Sequence, residues 1–72
     1  MEENFVARVA SAAAKIEELL KQSPELSSWD IKLKLKLSSS GLYLALGYLS
    51  SSGKIELLPE ELNYRVRLKN NS

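Results

Sequence analysis

Seventy-two residues with a formal net charge of +1, and with neither cysteine nor histidine, make one small domain over residues 1–72. The missing residue types exclude a disulfide framework, the commonest zinc ligands and any Ser-His-Asp arrangement. The ten basic and nine acidic residues divide unevenly, with a balance of −3 over residues 1–30 and +4 over residues 31–72, and a basic second half suits phosphate contact.

The first predicted element is a helix capped by Asn4 and running to about Gln22. Phe5, Val9, Ala12, Ala13, Ile16, Leu19 and Leu20 fall within an arc of roughly 120°, with Val6 at its edge. Arg8, Ser11, Lys15, Glu18 and Lys21 lie outside that arc. The polar face mixes Glu with Lys, unlike a membrane-surface helix, so this helix is expected to be scaffold. Lys15 with Glu18 and Glu17 with Lys21 stand at ion-pair spacing. Ser23-Pro24 stops the helix, because proline disfavours helical geometry in the residue before it. Leu26 is expected to add a short strand. Ser27 then begins a second helix, with Asp30 in the N3 position of a start like a capping box.

Residues 31–37 read Ile-Lys-Leu-Lys-Leu-Lys-Leu. Taken locally, this alternation is that of an amphipathic strand. As a helix it gives two stripes, Ile31 with Leu35 and, nearly opposite, Trp29 with Leu33. Helix is the expectation adopted, because residues 30–49 have the length of two helices and a turn. Ser38-Ser39-Ser40 supplies that turn and the next cap.

The third helix starts at a cap on Ser39 or Ser40 and ends at Gly53, a C′ position where positive φ costs glycine little. Leu42, Ala45, Leu46 and Leu49 form its core stripe within roughly 100°. The opposite face holds Ser40, Tyr43, Leu44, Gly47, Tyr48 and Ser51, without Lys, Arg, Asn or Gln. Residues 54–58 and 62–68 alternate as a hairpin, joined by Pro59-Glu60-Glu61. The tail over residues 70–72 is expected to fray.

The run Leu42-Tyr43-Leu44-Ala45-Leu46-Gly47-Tyr48-Leu49, followed by Gly53-Lys54-Ile55, resembles a family of very short bacterial winged-helix proteins of unknown function. Its hallmark is Val/Leu-Tyr-x-Ala-Leu-Gly-aromatic-Leu and then Gly-Lys-Ile. Ala45, Leu46, Leu49, Gly53 and Ile55 are also similar to the third helix and first wing strand of the winged helix-turn-helix superfamily, including repressors of the multiple-antibiotic-resistance type. The resemblance covers nearly the whole chain. It implies an α+β winged helix-turn-helix of three helices followed by a two-stranded β-hairpin wing, with a short extra strand near Leu26. It supports the helical reading of residues 31–37 and implies a place in transcription regulation.

Enzymatic activity is not expected. No side chain is present for imidazole or thiolate chemistry, and Ser51-Ser52-Gly53-Lys54 lacks the first glycine and the spacing of a phosphate-binding loop. No cofactor, metal or membrane partner is expected either. The apolar runs are far shorter than the roughly 20 residues of a membrane span, and the acidic Met-Glu-Glu start has the wrong charge for a signal peptide, so a cytoplasmic protein is anticipated.

Two functional expectations remain. One is duplex DNA, with Lys32, Lys34, Lys36, Arg65, Arg67 and Lys69 meeting phosphates. Base readout would lack its usual Arg, Asn and Gln donors, so backbone contact dominates that expectation. The other is a homodimer through Trp29, Leu33, Tyr43, Leu44, Gly47 and Tyr48, since such apolar patches mark interaction sites and Tyr and Trp are favoured interface anchors.

Overall fold

The computed structural model describes residues 2–69, with side chains from residue 7 onward. α1 already begins at Glu2, so Asn4 lies inside the helix rather than capping it, while the side chains of Phe5 and Val6 and the tail over residues 70–72 lie outside what is described. Among the described residues the chain runs α1 (Glu2–Gln22), β1 (Glu25–Ser27), α2 (Ser28–Leu35), α3 (Ser39–Ser51), β2 (Ile55–Pro59) and β3 (Tyr64–Leu68). The strands form one antiparallel sheet in the order β1-β3-β2. The protein is thus α+β, with three helices and a three-stranded sheet.

The core forms where the helical stripes predicted for α1 and α3 meet the inner face of the sheet. Ala12, Ala13, Ile16 and Leu20 of α1 are buried with Leu42, Ala45, Leu46 and Leu49 of α3, and Ile31, Ile55 and Val66 complete the cluster. Alanine on both helices lets their backbones draw close. Leu19, Leu26, Leu35, Leu57 and Leu68 pack partly against this centre.

Local chemistry sets the helix ends. Ser27 is extended and its hydroxyl accepts from the Asp30 N–H at 3.0 Å. This commits the chain to a helix where the alternation of residues 31–37 alone would permit a strand. At the other end of α2, Lys36 takes the left-handed region at φ 56°, and the Leu37 N–H donates to the Lys32 carbonyl at 3.0 Å. The α3 cap is Ser38, one residue ahead of the nearer expected position, Ser39, and its hydroxyl accepts from the Gly41 N–H at 3.0 Å. Three consecutive serines offer the same oxygen, and Ser38 is the one extended at the helix start. Gly53 ends α3 at φ 74°. Its N–H donates to the Ser50 carbonyl at 3.0 Å, and the Lys54 N–H donates to the Leu49 carbonyl at 2.9 Å. These are the two bonds of a Schellman motif.

The first strand of the hairpin has the expected length but is shifted one residue along the chain, and the second is two residues shorter than expected. Pro59 belongs to β2, opposite Tyr64, and the Glu60 N–H donates to the Asn63 carbonyl at 2.8 Å across the loop. Both rims of the sheet are blunt. β1 has three residues, and β2 closes on a proline.

Ser28 is the one buried polar side chain among the described residues. The β1–β3 ladder stops at Ser27 opposite Arg65, and the Ser28 hydroxyl then accepts the next β3 N–H, that of Tyr64, at 3.1 Å. A side chain thus continues a strand ladder into a helix. Ser28→Ala leaves that N–H without its acceptor and is expected to cost about 1–3 kcal/mol, read as a lower urea midpoint at unchanged m-value.

Candidate interaction surface on the third helix

Burial of Leu42, Ala45, Leu46 and Leu49 turns the uncharged side of α3 outward. Tyr43, Leu44 and Tyr48 remain 47%, 44% and 51% exposed, and Trp29 and Leu33 on α2 remain 54% and 55% exposed. Tyr43 and Tyr48 stand at the two edges of this side, roughly 140° apart at 100° per residue, with Ser40, Gly47 and Ser51 between them. A Cβ built on Gly47 meets no heavy atom within 4 Å outside its own helix and chain neighbours. Packing within the chain therefore gives no reason for a residue that costs about 1 kcal/mol against alanine in a helix.

The expected single patch of α2 and α3 residues divides along the α3 ridge. On one side, Trp29, Lys32, Ser39 and Tyr43 border a common cleft with Leu62 and Asn63 of the hairpin loop. The Lys32 ammonium lies 5.5 Å from the Trp29 ring centroid, within cation–π range. Tyr64 meets Tyr43 edge-on at 6.3 Å and 76°. The Asn63 side-chain oxygen is shielded from solvent without a hydrogen-bond partner among the described residues. On the other side, Leu44 borders a cleft between α1 and the start of α3 with Arg8, Lys15, Lys36 and Ser40. Leu33 shares the α2 face of Trp29 but borders neither of these two clefts.

Sequence reasoning missed four neighbours of this surface. Leu62, 93% exposed, continues the inward alternation of Tyr64, Val66 and Leu68, yet the β2 register ends at Pro59–Tyr64 and leaves it nothing to pack against. Tyr64 joins the patch because its strand ends beside α3. Arg8 and Lys15 reach the α3 start because α1 packs along α3, a placement that no local pattern encodes.

The candidate phosphate-binding cations differ in their surroundings. Arg65 Nε bonds Glu60 Oε2 at 2.8 Å, and its Nη1 lies 3.6 Å from Glu25. The hydrogen bond to Glu60 raises the Arg65 pKa from its ordinary value, the charges of Glu60, Glu25 and Asp30 add to this, and burial opposes it. Arg67 stands on the central strand between Glu25 at 3.7 Å and Glu56 at 3.6 Å. Both arginines are engaged on the outer face of the sheet, although each such part-exposed pair contributes only about 0–1 kcal/mol. Lys32, Lys34 and Lys36 have no carboxylate within 4.0 Å among the described residues. Lys69 follows β3, and its N–H donates to the Lys54 carbonyl at 2.9 Å. On α1 the ion pairs also differ from the expected spacing. Glu18 pairs with Lys21 at 3.6 Å, while Glu17 reaches across to Lys54 at 3.7 Å.

Among the described residues, no group of three or more His, Cys, Asp or Glu side chains is placed to hold a metal ion, and no helix is long and apolar enough to cross a membrane. Comparison with protein-family models gave no match, and comparison with curated proteins gave none either.

Proposed function

We propose that the protein is a small, non-enzymatic winged-helix module that pairs with a second copy of itself through the outer face of α3, in the setting of transcription regulation. In this reading α2 and α3 are the helix-turn-helix, β2 and β3 are the wing, and β1 is the extra strand beside it. The observation that carries it is an uncharged helix face with Tyr43, Leu44 and Tyr48 each close to half exposed. A DNA-reading helix ordinarily carries Arg, Asn or Gln there, whereas interface cores are depleted in charge and enriched in aromatic residues. Sedimentation equilibrium at micromolar concentration tests it. A dimer is expected, and a strict monomer at that concentration rejects the proposal.

The lysines of α2 and of its C-terminal cap, which have no carboxylate partner among the described residues, favour one second reading, contact with the phosphates of duplex DNA. Lys32, Lys34 and Lys36 keep their charge available, whereas Arg65 and Arg67 are held by carboxylates. Binding on this reading falls steeply with salt, by about 0.9 in the log–log slope for each neutralised phosphate. Changing all three lysines to glutamine should flatten the slope by up to about 2.7. Undetectable duplex binding at low ionic strength removes this reading.

A further inference from the structure

The outer face of α3 complements itself when reversed. We infer that two copies meet through an antiparallel α3–α3 contact about a two-fold axis, with Leu44 of each copy filling the notch at Gly47 of the other. This inference rests on the self-association proposed above and gives it a register.

Sequence spacing supplies the first support. Ser40, Leu44, Gly47 and Ser51 recur at the alternating four-and-three intervals of a helix–helix seam. Reversing one copy sets Leu44 level with Gly47 and Ser40 level with Ser51. A large side chain then faces a missing one at the centre, and small faces small at both ends. In a two-fold contact each such pairing occurs twice. The tyrosines flank the seam, with Tyr43 of both copies on one side and Tyr48 of both copies on the other.

The empty surroundings of Gly47 supply the second. Its lack of a side chain serves no contact in the protomer, but it opens the helix surface where the reversed copy presents Leu44.

Charge supplies the third and fixes the direction. α3 has no acidic residue in its first turn and no basic residue in its last, so both ends of its macrodipole lack the usual compensating side chains. The positive end is reinforced by Arg8, Lys15 and Lys36 around the cleft beside Ser40. Antiparallel pairing carries that positive end to the carbonyl end of α3 in the second copy. Parallel pairing would set like ends together.

The chain has no cysteine of its own, so Ser40→Cys and Ser51→Cys each introduce a single thiol at an exposed position. In an antiparallel pair, like positions lie roughly 16 Å apart along the helix at 1.5 Å per residue, while Ser40 and Ser51 of the two copies are level. A short bis-maleimide should therefore cross-link an equimolar mixture of the two variants and leave each variant alone largely unlinked. Homodimeric adducts from either variant alone, or no adduct from a mixture that sediments as a dimer, overturn the register without overturning self-association. Wild-type chains that sediment as monomers overturn both. Gly47→Leu has open space in the protomer and is expected to weaken association about tenfold or more by filling the notch. Unchanged association in that variant overturns the Leu44–Gly47 contact.

Discussion

With α3 paired as proposed, Tyr48→Glu is expected to leave the chain folded and to raise the dissociation constant of the pair by about 30-fold or more. The side chain is half exposed on α3 and lies outside the buried cluster, and substitutions at such positions usually change stability by no more than about 0.5 kcal/mol. At a pairing surface the same change is severe. Truncating an anchoring tyrosine costs about 2 kcal/mol or more, and every 1.4 kcal/mol is about a factor of ten in affinity. Glutamate also adds a charge that must lose its water, and in a two-fold contact it does so twice, close to its own image. Sedimentation with circular dichroism separates the effects. An unchanged spectrum with a monomeric mass supports the pairing surface, and an unchanged mass rejects it.

Leu46→Ala is expected to cost about 2–5 kcal/mol of folding free energy. Leu46 is 1% exposed within the core cluster, on the stripe that α3 turns towards α1. At about 0.05–0.15 kcal/mol per residue, a domain of this length has only about 4–11 kcal/mol in total, so one truncation removes a large share. Leu44→Ala, two residues away on the exposed side, should cost less than about 1 kcal/mol in the monomer. Urea unfolding of both variants at low concentration checks the contrast. Equal losses would show that the inward and outward sides of α3 are misassigned.

The core stripe of α3 is readable from sequence because Leu42, Ala45, Leu46 and Leu49 repeat at helical spacing and nothing else competes for them. The same holds for Ala12, Ala13, Ile16 and Leu20 on α1. Residues 31–37 are harder, because alternating Lys and Leu satisfies a strand locally; the Ser27 cap and the burial of Ile31 decide for helix. Three serines of equal capping strength hide the α3 start by one residue. Register is the least legible quantity. Arg65 and Arg67 read as free cations in sequence, yet strand pairing sets Arg67 directly opposite both Glu25 and Glu56. Glu17 likewise finds Lys54 across the fold rather than Lys21 along its own helix. The exposure of the α3 patch was legible, but its division into two clefts depends on where α1 and the hairpin loop sit, which is a property of the packing.

The blunt rims of the sheet bear on what the molecule can grow into. An incoming extended segment finds three residues to copy along β1, and along β2 a template that ends on a residue with no amide hydrogen. Unpaired edges of greater length are where chains recruit one another into fibres. Here that route is short on both flanks, so edge-to-edge strand addition gives this polypeptide little purchase for growth into filaments.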